Sequence, residues 1–350
     1  MRMEERMEIS KSMIYGAPLI AIFLTACAGA CLFLLMGRDP FSSLHTFFIA
    51  PISTLDGLSE LCVKATPLIL IGVGLSFGFR SNVWNIGAEG QLTIGAVSGG
   101  AIALIFFDVE SVFLLPAMIL IAALGGMIWA AIPAFLKTRF NANEILTSLM
   151  LTYVGLLVLS FLIHGSMKDP DGMNFPESKL FHEAALMPLL IEGTRIHLGF
   201  LIVLFVVAAA WVVFSRHIIG FQVRVSGLAP RAAVFAGFNQ NQTIWLSFMI
   251  AGALSGIAGI SEVAGPLGQV VPSISPGYGF TAIIVAFVGR LHPAGIFFSG
   301  LLIALSYLGG ENAQIDMNLP NAVTGVFQGM LLFFLLASDV LIRYRFKLRN

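Results

Sequence analysis

The chain is predicted to be an all-α, polytopic membrane protein, and three observations predict it. Of its 350 residues, 57 % are hydrophobic and 11 % are charged, where a soluble domain carries about 25 % charged residues. Its mean hydropathy is +0.91. Ten apolar runs are each candidates for the roughly 20 residues a helix needs to cross a ~30 Å hydrocarbon core, so residues 1–350 read as a single transmembrane domain with almost nothing left for a soluble one.

Taken in order, a mixed-charge segment 1–12 precedes a first span at 13–36, too long for a signal-peptide core and with no clear cleavage site after it. Spans follow at 61–79, 86–107, 113–135 and 145–163. The stretch 164–196, rich in Pro, Gly and Asp, is a loop with one short surface helix. Further spans fall at 197–214, 243–262, 278–289, 294–309 and 321–341; the segments at 278–289 and 294–309 are short, and re-entrant chain at 80–107 or 278–309 would mimic a pair of spans.

Ten spans with an internal N-terminus place 14 of the 19 Lys and Arg residues on inside segments and most of the acids outside, as the positive-inside rule requires. Both termini and the 215–242 loop are then cytoplasmic, and 164–196 is extracytoplasmic. A net charge of zero with scattered basic residues gives no nucleic-acid partner. Cys27, Cys31 and Cys62 form no disulfide framework. The six histidines have no metal-ligand spacing, and no phosphate loop or nucleophile turn is present, so neither a metal site nor an enzyme is expected.

Two Gly- and Pro-rich stretches, 72–100 and 263–295, put helix breakers at membrane depth, which is tolerated only where backbone is buried in protein or lines a cavity. In the first, Glu89 sits in NIGAEGQ with Asn85 and Gln91. An acid inside a span costs at least ~2.5 kcal/mol and needs a partner. Arg80 is the nearest by sequence, and freed backbone amides are the alternative. Glu89 is the one acid that lies deep within a predicted span. The second stretch offers Gln269, Ser273, Ser275 and Tyr278, and Trp84, Tyr278 and Phe280 are either flat faces for a ring-shaped solute or ordinary packing. A third stretch, Ser215 to Gln242, holds a short helix RAAVFAGF ending at Gly237, which docks on a soluble partner or lies on anionic lipid. The turn KTRFNANE, Lys137 to Glu144, is a second docking candidate, equally readable as a helix cap.

At these stretches the sequence resembles the permease subunits of bacterial ABC importers, in the branch that moves simple sugars and nucleosides. NIGAEGQ (Asn85–Gln91), GLAPRAAVFAG (Gly227–Gly237) and GYGFTAIIVAFVGRLHPAG (Gly277–Gly295) carry the resemblance, which spans most of the chain. Trp84 stands where the branch has Phe, and Ala229 where it has Asn, a residue able to cap a helix where Ala is not.

The resemblance implies the architecture of the vitamin B12 importers and a place in the cytoplasmic, inner membrane of a bacterium. It makes the segment with Gly227, Pro230, Arg231, Ala232, Ala233 and Gly237 a coupling helix for a separate ATPase subunit, which binds ATP and Mg; this chain then holds no cofactor. It further implies a second, related permease as heterodimer partner and an extracytoplasmic solute-binding protein. The expected path lining is Trp84, Asn85, Glu89, Gln91, Gln269, Ser273, Tyr278 and Phe280, and the expected cargo a nucleoside or related neutral hydroxylated solute, with a simple sugar as the alternative. An ion-coupled secondary transporter using Glu89, or a membrane scaffold without transport, are the readings from other classes.

Overall fold

A computed structural model of the chain describes residues 2–5, 11–320 and 322–347. The expected N-terminal segment 1–12 falls largely outside the described residues. Among the described residues there are thirteen α-helices: α1 (Lys11–Leu35), α2 (Pro40–Leu44), α3 (Leu55–Arg80), α4 (Ala88–Ile105), α5 (Leu114–Phe140), α6 (Glu144–His164), α7 (Leu198–Arg216), α8 (Ile218–Leu228), α9 (Pro230–Phe235), α10 (Gln240–Glu262), α11 (Tyr278–Val288), α12 (Pro293–Met317) and α13 (Ala322–Arg343). Among the described residues the strands are confined to one short antiparallel pair, β1 (Arg2–Glu5) with β2 (Tyr344–Lys347).

Every predicted span is helical, but the helices are not ten equal crossings. Among the described residues, seven are long and apolar enough to span a bilayer: α3 to α7, α10 with its π-helical extension to Leu267, and α12. The predicted span 278–289 is α11, an 11-residue helix about 16 Å long, half the hydrocarbon thickness. The predicted span 294–309 continues as α12 to Met317. The 215–242 stretch contains two helices, α8 and α9, instead of one. Glu262, the last residue of α10, is also buried, which corrects the expectation that Glu89 is the one acid inside a span.

The chain divides into two compact units, residues 62–301 and the combination of 1–61 with 302–350. The latter is centred on Phe33, Phe47 and Phe327, with Phe47 and Phe327 stacked at 4.4 Å. In the 62–301 unit α4, α5 and α10 pack backbone to backbone. A β-carbon on Gly95 would lie 2.3 Å from the Gly256 Cα, one on Gly126 would lie 2.1 Å from the Gly252 carbonyl oxygen, and one on Gly256 would lie 2.1 Å from the Ala122 carbonyl oxygen. Lipid tails are as apolar as leucine, so helices in a membrane associate through such close contact rather than through hydrophobic burial. The sequence therefore spends glycines where a soluble protein would spend leucines.

Segment 165–197 folds over the break between α10 and α11. The Phe181 amide donates to the Gly268 carbonyl at 2.7 Å and the Met187 amide to Ala264 at 2.8 Å, while Ser178 and Val270 exchange bonds of 2.9 and 3.0 Å. Non-helical backbone at that break is thereby paired. Replacing Gly256 by Leu is expected to destabilise the α4/α5/α10 contact by roughly 3 kcal/mol through overpacking, read as a lowered melting temperature of the purified protein in detergent.

Candidate functional site

The NIGAEGQ motif forms the entry to α4. After α3 the chain turns at Asn82, whose φ is +59°, and runs without helical structure from Val83 to Gly87. The Asn85 and Gln91 carboxamides bond reciprocally, Nδ2 to Oε1 at 3.0 Å and Nε2 to Oδ1 at 3.1 Å. The Gly87 amide donates to Asn85 Oδ1 at 3.0 Å, and the Ile86 amide to Ser148 Oγ at 3.1 Å. Gly87 and Gly90 lie against the backbone of α6, where β-carbons would come within 2.6 Å of the Ser148 carbonyl oxygen and 2.8 Å of the Thr152 Cα. Both amide side chains of the motif are thus engaged with each other and with the motif's own backbone.

Glu89, in the first turn of α4 and 3 % exposed, holds the start of α11. Its Oε2 accepts the Gly279 amide at 2.6 Å. Ser275 Oγ in turn accepts the Gly277 and Tyr278 amides at 3.1 and 2.8 Å. The first amides of a helix have no partner within it, and an anion there is favoured by the helix dipole as well. The crossing is possible only with glycine, since a β-carbon on Gly279 would sit 2.2 Å from the Glu89 nitrogen. Arg80 is engaged elsewhere: its Nε donates to the Leu291 carbonyl at 2.9 Å and its guanidinium lies 4.0 Å from the Phe214 ring centroid. Of the two partners the sequence offered for Glu89, freed amides are the ones it takes.

The remaining path candidates are spread out. Tyr278 is buried, and Gln269 is half-buried with its Nε2 bonded to Glu177 Oε2 at 3.0 Å. Trp84 is half-buried between Phe79 and Phe287, at 5.2 and 5.8 Å, and its Nε1 donates to Asn82. Ser273 and Phe280 are exposed. Phe280 heads a stripe on α11, continued by half-buried Ile283, Ile284 and Phe287, while the opposite face is packed in the chain. This stripe, at the spacing of one helix face, was visible in the sequence as i, i+3, i+4, i+7 apolar residues, but α11 is apolar nearly all round and the pattern has no contrast.

The third motif forms a compact platform at the end of the bundle opposite segment 165–197. Gly227 in α8 packs on the α3 terminus, where a β-carbon would lie 2.0 Å from the Arg80 carbonyl oxygen. Pro230 opens α9, with no side-chain cap from Ala229. Ala233 is buried, whereas Arg231, Ala232, Val234 and Phe235 are exposed, Phe235 at 93 %. Gly237, at φ +84°, ends the helix in an αL cap in which the Phe238 amide reaches the Ala233 carbonyl at 3.0 Å. The KTRFNANE turn has Asn143 as the N-cap of α6 and a Lys137–Glu144 pair at 3.0 Å. Its residues share a recess with Ser226 and Pro230.

Glu89→Gln preserves shape but removes the charge from the α11 cap, and Glu89→Ala removes the acceptor. The expected losses are about 1.5–3 kcal/mol for the charge-assisted bonds, larger for Ala than for Gln. Gly279→Ala is expected to be at least as damaging. Thermal unfolding of the three purified variants checks the order.

Residues 57–336 match the family described as "Branched-chain amino acid transport system / permease component". The glucose ABC transporter permease protein TsgB13 of Haloferax volcanii is 33 % identical, over 99 % of this chain and 93 % of that protein. The guanosine ABC transporter permease protein NupP of Bacillus subtilis is 29 % identical, over 93 % of this chain and 94 % of NupP. The nucleoside ABC transporter permease protein NupB of Lactococcus lactis is 27 % identical, over 93 % of this chain and 91 % of NupB. Matched by the family model over residues 57–336 and 33 % identical to one of these permeases along nearly its whole length, the chain belongs to this permease family and is a multi-pass transport subunit of the ABC class.

Proposed function

We propose that the chain is the permease of an ATP-driven importer whose cargo is a nucleoside or related neutral hydroxylated solute. The observation that carries this reading is that the exposed groups at the helix break, Ser273 and Phe280, are neutral, while the Glu89 carboxylate is sealed against α11. A neutral site offers a hydroxyl for hydrogen bonding and a flat face for a ring, with no charge to select an ionic solute. The guanosine and nucleoside permeases among the relatives support it. A simple-sugar cargo is the second reading, favoured by the 33 % identical glucose permease.

The path then runs along the partly exposed α11 stripe and is completed by a second, related permease. Asn85, Glu89, Gln91 and Tyr278 shape it from behind, whereas Ser273 and Phe280 face the cargo. α9 docks on a separate ATPase subunit that holds ATP and Mg, and a solute-binding protein delivers cargo at the end closed by 165–197. The excess of Lys and Arg on the α9 side supports a cytoplasmic position for that end and for both termini in a cytoplasmic membrane.

Two measurements test this. In proteoliposomes holding the permease pair, ATPase and binding protein, labelled guanosine uptake is expected to require ATP; uptake by this chain alone, driven by a proton or sodium gradient, refutes the reading. Competition by unlabelled glucose in place of nucleosides selects the sugar alternative. In a background lacking Cys27, Cys31 and Cys62, Ser273→Cys and Phe280→Cys are expected to react with a small thiol reagent and to be protected by cargo, with Gln91→Cys unreactive.

A further inference from the structure

Next to α9, at the same end of the molecule, three arginines from three different elements meet around one cleft of about 570 Å³. Arg80 comes from the end of α3, Arg224 from α8 and Arg290 from the turn between α11 and α12; Gly227 and Leu228 complete the wall nearest α9. None of the described lining residues is Asp or Glu. Arg80 is built into the wall, whereas Arg224 reaches the cleft from the surface. Arg80 is fixed by its bond to the Leu291 carbonyl and by the Phe214 ring. Arg290 and Leu291 both hold left-handed backbone, at φ +53° and +57°, a conformation non-glycine residues rarely adopt. Arg224 is exposed at the mouth.

Like charges gathered in a concavity focus a positive potential, which attracts an anion. The wall residues Gly227 and Leu228 lead directly into α9. Leu228, Val234 and Phe235 are exposed by 80 %, 57 % and 93 %, which gives the cleft an apolar rim of the kind that surrounds a protein anchor. The cleft and α9 are therefore neighbours along the chain and share the Leu228 wall.

We propose that this cleft receives an acidic side chain, Asp or Glu, of the ATPase subunit, and so forms a second point of attachment beside α9. The inference rests on the reading that α9 docks on that subunit. A carboxylate suits the site because a guanidinium presents planar paired donors that match its two oxygens. Held there, it ties together the end of α3, α8 and the α11–α12 turn.

The test measures binding of the purified ATPase subunit to the permease pair in nanodiscs, as a function of salt, for wild type, Arg224→Gln, Arg224→Glu, Arg224→Lys and the α9 double variant Arg231→Glu/Ala232→Trp. At about 0.15 M salt, Arg224→Gln is expected to weaken binding roughly tenfold and to flatten its salt dependence, Arg224→Glu to weaken it further, and Arg224→Lys to restore part of it. Loss of binding in the α9 variant with no change in strength or salt slope for either Arg224→Gln or Arg224→Glu overturns the cleft proposal and leaves the docking reading standing. Unchanged binding in the α9 variant overturns both. The discs are prepared with phosphatidylcholine alone and with added phosphatidylglycerol. An Arg224→Gln effect confined to the anionic discs assigns the cleft to a lipid phosphate and overturns the proposal.

Discussion

A helix that begins inside a packed apolar bundle presents amide groups with no water to bind them, and in this chain the Glu89 carboxylate and the Ser275 hydroxyl answer them. Glu89 accepts from Gly279 while itself lying in the first turn of α4, so one anion serves the positive ends of two helices. Each unsatisfied group in hydrocarbon costs several kcal/mol, and an unpaired carboxylate is costlier still. Neither the half-helix nor the buried acid is tolerable alone. Together they are, which makes the junction the reason that α11 is able to stop short and leave a polar break beside it.

That junction demands close backbone approach, and glycine supplies it throughout the 62–301 unit. Gly279 lets α11 cross Glu89, Gly87 and Gly90 admit α6, and Gly95, Gly126, Gly252 and Gly256 bring α4, α5 and α10 into contact. A helix bundle packed this way has little freedom to deform within itself. Its elements are suited to moving as blocks, with shifts concentrated where helices end. The ends in question are the turn at 81–87, the π-helical and extended chain from Val263 to Gly277, and the turn at 289–292.

Much of this was legible in the sequence, because composition and run length respond directly to the solvent. The apolar runs mark helices to within a few residues over α4, α6 and α7. NIGAEGQ and the 263–295 stretch mark the broken chain because glycine and proline at membrane depth have few other uses. What was not legible depends on contacts between distant segments. Glu89 and Gly279 are 190 positions apart, and nothing local distinguishes a glycine that admits a carboxylate from one that admits a helix. Arg80 stood beside freed backbone amides as a candidate partner of Glu89 because proximity in sequence is the one distance a sequence displays. α8 escaped notice since His217 caps it with a ring nitrogen, a weaker signal than Ser or Asp. Glu262 stood at the very edge of an apolar run, where an acid looks like an ordinary boundary; the π-helical turn at Val263–Leu267 carries the buried backbone past it.

The same contacts decide how the two ends of the permease communicate. α9 is joined to α8, and Gly227 of α8 rests on the Arg80 carbonyl with no room for even a methyl group. A contact already at its limit transmits displacement, because neither backbone has space to absorb it. Arg80 in turn bonds the turn after α11, and the chain leaving α3 at Arg80 is the one that carries Asn85 and Glu89 to the start of α11. α11 is therefore held at both ends by groups whose positions depend on the α3 terminus: its first amides by Glu89 and its following turn by Arg80. A half-helix gripped in this way is suited to move as one piece with the α3 terminus, carrying the stripe from Phe280 to Phe287 with it. This is why the short length of α11 matters. A full span would be anchored by lipid at both interfaces, whereas a half-span answers only to the protein that holds it.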